Sequence, residues 1–207
     1  GFSHGASGIA HALFRLSEAT GQDRFATAAA EAISYERTLL DEAEGNWPDL
    51  RELQQPIQDE DGQAPFMTAY CHGAPGVGLA RLTALRTSQD PDVRRDLDIA
   101  VRTTLRTGFE AGDSLCHGTL GNLELVLSAG EQLGDAELSR EGIRLATGLL
   151  RTAQSDGWLC GVPGGVETPG LMAGLAGIGY GLLRIAAPDQ VPSVLTVDPP
   201  PGDAEPH

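Results

Sequence analysis

The sequence predicts an all-α fold, an α/α toroid in which inner helices are enclosed by outer helices, here as a partial ring of about seven helices. Three observations predict it. Glycine turns of one kind recur along the chain, buried and amphipathic helical segments alternate between them, and strand signals are weak throughout. These patterns indicate one helical architecture built from repeated pairs.

The glycine turns share the form G-x-x-G, and each leads into an apolar, helix-forming run. They read HGASG at 4–8, HGAPG at 72–76, HGTLG at 117–121 and AGLAG at 173–177. The runs that follow are apolar nearly all round, which is typical of helices enclosed by protein on most sides. We therefore predict that they are inner helices.

The segments between the turns have a different character. Their apolar residues recur every three or four positions with charged residues between them, in residues 23–42, 91–108 and 135–154. This pattern predicts helices with one solvent-exposed face. Their predicted start signals are Asp23, Asp90 or Pro91, and Asp135, and Gly108 is a predicted stop. Outer helices thus alternate with inner ones.

Pairs of this kind can close in two ways. A ring of inner helices within outer helices gives an α/α toroid, and an open helical solenoid is the alternative. In either case the helix N-termini that follow the glycine turns share one face. The Gly- and Pro-rich residues 158–170 are predicted to form a long loop.

Charge and composition exclude several kinds of partner. With 14 basic and 29 acidic residues, the net charge is −15, which opposes binding to nucleic acid or to an anionic membrane surface. No apolar run is long enough to predict a membrane span. Three cysteines without framework spacing favour a reducing compartment, so we expect a cytoplasmic protein.

Cysteine and histidine concentrate just before the glycine turns. The positions at this point of the repeat are His4, Cys71 with His72, Cys116 with His117, and Ala173. Two cysteines and one histidine with a fourth position left open are a known catalytic zinc arrangement. If the inner helices converge, the repeat itself brings these ligands together, and the helix N-termini favour deprotonated thiols.

Other interpretations apply to single residues. An isolated cysteine is usually a buried apolar filler, and we interpret Cys160, which has no partner in the repeat, in that way. His11, on the helix after His4, is interpreted as a packed or surface histidine. No lysine follows the glycine turns, so they are not phosphate-binding loops of the Walker type.

The four turns in order resemble a known family. GFSHGASGIAHAL, AYCHGAPGVGLARL, LCHGTLGN and PGLMAGLAGIGYGLLR are similar to the lanthionine synthetase C-like cyclases, most closely to the C-terminal cyclase domain of class II, bifunctional, lanthionine synthetases. The resemblance spans about residues 1 to 186. It implies an α/α toroid that uses one zinc ion per chain to close thioether rings in a dehydrated precursor peptide.

The resemblance also implies roles for individual residues. Cys71, Cys116 and His117 match the three zinc ligands of the family. His4 matches the histidine proposed as an acid or base near the metal, and His72 matches an active-site position with a role in acid/base chemistry or substrate positioning.

Compared with the family, the chain corresponds to the C-terminal half of the toroid. We expect residues 1–187 to be that part of the cyclase domain and residues 188–207 to be a Pro-rich flexible tail. The implied partners are the missing N-terminal half, with the aspartate expected to orient the histidine, and a dehydratase domain. The truncated chain alone is expected to be inactive.

Two further functions stay open at this point. A member of the same family could be a non-catalytic module that binds zinc, thiols or a partner protein, or an inactive fragment. An α/α-toroid glycosidase or lyase would need paired carboxylates in the ring mouth, whereas Asp113 is the only acid within the DSLCHG stretch. Asp113 is instead a candidate partner for a metal-ligating side chain.

Overall fold

The computed structural model describes residues 1–50 and 66–200, which form seven α-helices. The helices are α1 (Ala6–Thr20), α2 (Asp23–Arg37), α3 (Ala74–Ala84), α4 (Pro91–Thr107), α5 (Thr119–Leu133), α6 (Ala136–Asp156) and α7 (Leu175–Ala186). Across these described residues extended pairing is limited to two isolated bridges, so the predicted all-α fold of about seven helices is confirmed.

The chain divides into two compact units, the first ending at Gly108 and the second beginning at Phe109. In the first unit α1 packs against α2 and α3, and α3 packs against α4. In the second unit α5 packs against α6 and, less extensively, α7. Each unit therefore repeats the pairing of a glycine-turn helix with the amphipathic helix that follows it, as in an α/α toroid.

The predicted difference between inner and outer helices holds only in part. Every residue of α3 and most of α5 are buried, whereas α4 and α6 bury one face. However, α1 and α7 also bury only one face, since Ile9 is 60% exposed and Leu183 is 59% exposed. The prediction of nearly complete enclosure is thus wrong for these two helices within their units.

The helix boundaries follow local chemistry. Asp90 caps α4 by accepting a hydrogen bond from the backbone N–H of Asp92, and Asp135 caps α6 by accepting from Glu137 and Leu138. Both predicted start signals are confirmed, as is the end of α4 at Gly108. Asp23 differs, because it is the first residue of α2 rather than its cap.

The second glycine of the repeated turn is required by a close backbone approach. A Cβ atom would lie 2.0 Å from the Phe2 carbonyl oxygen at Gly8, 2.1 Å from that of Tyr70 at Gly76, and 1.7 Å from that of Leu171 at Gly177. In each case the chain entering the turn crosses the first turn of the helix. Only glycine leaves space for that crossing, which explains why the same spacing recurs.

Buried charges tie together α2, α3 and α4. The Arg81 guanidinium is fully buried; its Nη1 donates to Glu36 Oε2 at 2.9 Å and its Nε donates to Asp96 Oδ2 at 3.1 Å. Asp96 also accepts from Nε of Arg37. Because each carboxylate is paired and hydrogen-bonded, the charges are tolerated in the interior.

The environment of Glu36 determines its protonation. Burial by itself raises the pKa of Glu36, but its charged and hydrogen-bonded partners, the Arg81 guanidinium first among them, outweigh burial and hold the pKa below its ordinary value. Glu36 Oε2 accepts from both Arg81 and Ser7. The carboxylate is therefore the favoured form in the folded protein.

The described part of the predicted tail lies against α7. The Tyr180 hydroxyl donates to the Pro192 carbonyl at 2.7 Å, and the Arg184 guanidinium donates to the carbonyls of Pro188 and Val191. Leu195 is buried as well. Residues 201–207 of the predicted tail lie outside the described residues, and the domain boundary at residue 187 stays a prediction.

Among the described residues, none of the helices is both long and apolar enough to cross a membrane.

Replacing Arg81 tests the buried charge network. Arg81→Ala leaves the buried Glu36 and Asp96 carboxylates without their shared partner, so we expect the free energy of unfolding to fall by about 3–5 kcal/mol. Urea denaturation measures this change. Arg140→Ala removes an exposed arginine that pairs with Glu137 at 3.8 Å, and we expect a change below about 1 kcal/mol. Equal effects of the two substitutions would contradict the assigned importance of the buried network.

The lowered pKa of Glu36 predicts acid sensitivity. A carboxyl group whose pKa is lower in the folded state contributes stability above its unfolded value, here 4.5, and loses that contribution as pH falls through the folded value. We expect the wild-type protein to lose stability below pH 4.5 and Glu36→Gln to reduce that loss. Denaturation at a series of pH values measures it. Glu137→Gln, at an exposed carboxylate, should retain the wild-type pH dependence.

Candidate functional site

The first unit brings together two of the predicted site histidines. The rings of His4 and His72 lie with their centroids 5.7 Å apart and an interplanar angle of 26°. The backbone N–H of Ser3 donates to the Cys71 carbonyl at 3.2 Å, so the two turns that carry these histidines are bonded to each other. His4 is exposed, whereas His72 is buried.

A cleft opens beside these two imidazoles. Its volume is about 210 Å³, and its lining includes His4, His72, the carboxylate residue Glu36 and the apolar residues Leu39 and Pro48. A cleft that combines an apolar wall with convergent polar groups is a typical small binding site. Both predicted catalytic histidines thus border the same cavity.

Cys71 directly precedes His72 and is buried. Phe2 packs between its neighbours here, with its ring 5.1 Å from that of Tyr70 and 5.2 Å from that of His11. His11 Nδ1 is also 2.9 Å from the Thr83 hydroxyl. His11 is therefore a packed histidine, in agreement with its interpretation from the sequence.

Asn46 fixes the turn that contains Cys71. Its buried side chain accepts hydrogen bonds at Oδ1 from the backbone N–H of Ala74 at 2.8 Å and of Trp47, while Nδ2 donates to the Met67 carbonyl at 3.1 Å. Asn46 thus supplies the side-chain cap that α3 lacks at Gly73. The amide holds both ends of the Cys71 turn.

In the second unit Cys116 and His117 lie side by side in the turn before α5, and both are partly exposed. The backbone N–H of Cys116 donates to the Met172 carbonyl at 2.8 Å, which ties this turn to the turn before α7. The thiol is free. Adjacent residues in a turn can both face one ligand, which a regular helix would not allow.

The ring of His117 is held by a backbone carbonyl. Its Nε2 lies 2.9 Å from the Gly161 carbonyl oxygen. Since a carbonyl oxygen only accepts, Nε2 must carry the proton, and in the neutral ring Nδ1 then presents its lone pair. A metal-ligating histidine ordinarily has this second hydrogen bond, so His117 is oriented as a ligand would be.

Three further residues lie near His117 in the sequence or in the loop that contacts it: Asp113, Ser114 and Cys160. Asp113 accepts a hydrogen bond from the backbone N–H of Leu159, and is therefore bonded to the loop that carries Gly161. Cys160, in the same loop, is buried, as its interpretation as a filler predicts. The Ser114 hydroxyl is fully buried and makes no hydrogen bond among the described residues.

Two of these site residues were not found from the sequence. Gly161 acts through its carbonyl, which every residue has, so no pattern of side chains could have indicated it. Asn46 follows a glycine in EGNWPDL and resembles an ordinary turn residue there. Its cap lies 28 residues along the chain, at Ala74, and only the fold reveals it.

The fold and the site define an all-α protein with Cys–His turns at the N-termini of paired helices. Residues 1–196 match the family of lanthionine synthetase C-like proteins. The chain belongs to that family.

One relative is similar in sequence over most of this chain. It is the lacticin 481/lactococcin biosynthesis protein LcnDR2 of Lactococcus lactis subsp. lactis, which is 28% identical over 196 residues, or 88% of this chain. The chain spans only 20% of that protein's length. It is thus similar to a portion of a much longer biosynthetic protein.

Replacing Asn46 tests the cap of the Cys71 turn. Asn46→Ala leaves the Ala74 N–H and the Met67 carbonyl without their buried partner, so we expect the free energy of unfolding to fall by about 1–3 kcal/mol. Urea denaturation measures the loss. The exposed Gln154 of α6 provides a control, since Gln154→Ala should change stability by less than about 0.5 kcal/mol. A neutral Asn46→Ala would contradict the role of this amide.

Proposed function

We propose that this chain is the C-terminal part of a zinc-dependent cyclase domain of the class II lanthionine synthetase type. It would add a peptide cysteine thiol to dehydroalanine or dehydrobutyrine to form lanthionine or methyllanthionine. The observation that carries the proposal is the His117 Nε2 hydrogen bond to the Gly161 carbonyl, which places the Nδ1 lone pair of a residue adjacent to Cys116 in a position to bind a metal, in a member of this family.

The donors proposed for zinc are Cys71, Cys116 and His117. Two thiolates and one imidazole are the donor types that zinc prefers, and a site with three protein ligands leaves the fourth position for water or substrate. One zinc ion per chain would be bound. The arrangement of His117 supports the proposal because its Nδ1 needs no change of tautomer to bind a metal.

The proposed substrate is a dehydrated precursor peptide. Support comes from the name of the relative, which connects that protein to lacticin 481 and lactococcin biosynthesis. The cleft of about 210 Å³ beside His4 and His72 is large enough for side chains of a peptide but not for a folded protein. We therefore expect an extended peptide segment to enter it.

Bound zinc would supply a thiolate at neutral pH by lowering the pKa of the entering cysteine thiol. In the overall addition a C–S bond forms at the β-carbon and the C=C bond becomes a single bond. The thiol loses its proton, and the α-carbon gains one. Proton transfer is therefore the step that protein side chains must assist.

His4 and His72 are proposed for that proton transfer. Imidazole changes charge close to neutral pH, which suits it both to accept the thiol proton and to deliver one to the α-carbon. His4 is exposed at the cleft, whereas His72 is buried beside it. We assign the proton transfer to His4 and assign His72 to substrate positioning or to assisting His4.

The remaining parts of the synthetase are also proposals. Because the chain spans 20% of its relative, the N-terminal half of the toroid and a dehydratase would be provided by other residues of a longer protein or by another chain. Three cysteines, none of them in a disulfide among the described residues, favour a cytoplasmic setting, in which thiols stay reduced.

Elemental analysis tests the zinc ligands. We expect about one zinc per chain in the purified protein, and its loss in Cys71→Ala, Cys116→Ala and His117→Ala, since three protein ligands leave no redundancy. Cys160→Ala is the matched control because it removes a buried thiol that we do not assign to the metal. Equal zinc content in all of these variants would contradict the ligand assignment.

His4→Ala separates metal binding from chemistry. We expect this variant to retain zinc but to close rings about 10²–10⁴-fold more slowly, the usual contribution of a general acid or base. Mass spectrometry of a dehydrated peptide after thiol alkylation measures ring closure, with the protein alone and with a co-expressed N-terminal half. Zinc binding without cyclisation in either sample would indicate a non-catalytic zinc-binding module instead.

A further inference from the structure

We propose that Asp113 is a positioning residue for the metal site: it holds the loop at 157–165 so that the Gly161 carbonyl keeps His117 in the tautomer that presents Nδ1. The predicted effect on metal binding rests on the proposed function. Its structural basis, however, lies entirely within the second unit and is independent of any metal.

Asp113 and Leu159 are joined by a reciprocal pair of hydrogen bonds. The backbone N–H of Asp113 donates to the Leu159 carbonyl at 2.8 Å, and the backbone N–H of Leu159 donates to Asp113 Oδ2 at 2.8 Å. The second bond has an ionised acceptor, which makes it about twice as strong as a bond between neutral groups. Asp113 is only 7% exposed, so water competes poorly with it.

Asp113 occupies a place from which it can act on His117. It lies in the same DSLCHG turn as both proposed ligands, whereas Leu159 lies two residues before Gly161. Displacement of Leu159 would therefore be transmitted over a very short length of backbone. The clamp joins the segment that carries the histidine to the segment that carries its hydrogen-bond acceptor.

The loop has little freedom at Gly161 itself. The backbone N–H of Gly161 donates to the Ala173 carbonyl at 2.7 Å, and a Cβ at this position would lie 2.5 Å from the Ser114 hydroxyl and 2.7 Å from His117 Nε2. The backbone thus packs directly against the turn. Asp113 fixes the N-terminal side of this contact and Ala173 fixes the other side.

The side chain of Leu159 is not what anchors the loop. It is 53% exposed, in contrast to the neighbouring Cys160, which is buried. At this position the loop is therefore held through backbone atoms, which is the contact that Asp113 makes. Loss of the carboxylate should loosen the loop without creating a large cavity.

The consequence for His117 follows from imidazole chemistry. With the Gly161 carbonyl in place, the proton is held on Nε2 and the lone pair on Nδ1. When that carbonyl is displaced, both neutral tautomers become populated, and the ring must be reoriented before Nδ1 can bind a metal. Hydrogen-bond partners of metal-ligating histidines typically contribute 10–100-fold in metal affinity.

The experiment compares the wild-type protein with Asp113→Ala and Asp113→Asn. The metal-free, reduced protein is examined by NMR at a pH where the imidazoles are neutral, and the ¹⁵N shifts and two-bond couplings of His117 report its tautomer. Co²⁺ is then titrated in, because its thiolate charge-transfer and d–d absorption report affinity and coordination, and zinc affinity follows from competition. Circular dichroism verifies folding.

We expect the wild-type protein to show one tautomer, with the proton on Nε2, and Asp113→Ala to show a mixture together with about tenfold weaker binding of Co²⁺ and zinc. Asp113→Asn retains an acceptor oxygen and should change both quantities in the same direction by less. A purely structural role would lower stability without altering the tautomer of the folded protein.

Asp135→Ala is the matched control. Asp135 also binds backbone N–H groups, at the start of α6, but it has no hydrogen bond to the loop at 157–165 among those of the described residues. It should lose comparable stability and keep the wild-type tautomer and metal affinity.

Several results would overturn the inference. A wild-type His117 tautomer in folded Asp113→Ala does so directly, and so does an equal change in Asp135→Ala. If Asp113→Ala does not fold, Asp113→Asn decides, and an unchanged tautomer in that variant overturns the inference. Failure of the wild-type protein to bind Co²⁺ and zinc contradicts the proposed zinc site, while the NMR comparison still decides the role of Asp113.

Discussion

The site depends on a steric constraint in the backbone, the crossing of the incoming chain over the first turn of the following helix. At Gly8, Gly76 and Gly177 a carbonyl oxygen occupies the space where a Cβ would stand. The crossing forces the chain into a compact turn, and the residues of that turn lie at the N-terminal end of the helix. Reactive side chains placed there are held by backbone geometry rather than by their own packing.

In each unit one polar side chain also holds the turn through hydrogen bonds to the backbone. In the first unit the Asn46 amide binds both ends of the Cys71 turn, and in the second unit Asp113 binds the loop that contacts His117. These two anchors use different chemistry, a neutral amide and a carboxylate, for the same purpose. Buried hydrogen bonds of this kind are costly to leave unpaired, so each anchor favours one conformation of its turn.

The sequence predicts the helical architecture well because its signals are local. The caps at Asp90 and Asp135 and the end at Gly108 follow from chemistry within a few residues. The enclosure of α1 and α7 was predicted wrongly. An apolar sequence indicates that a helix can be buried, but it does not indicate how many neighbouring helices pack against it within its unit. The Arg81 network was not predicted at all, since its partners Glu36 and Asp96 are distant in sequence.

The side chains of the candidate site could also be predicted from the sequence, because cysteine and histidine recur at equivalent positions of the repeat. What the sequence could not provide is the means of holding them. The most direct test of the central claim is zinc K-edge X-ray absorption of the purified protein. We expect two sulfur ligands at about 2.3 Å and nitrogen or oxygen ligands at about 2.0–2.1 Å. Four sulfur ligands, or none, would contradict it.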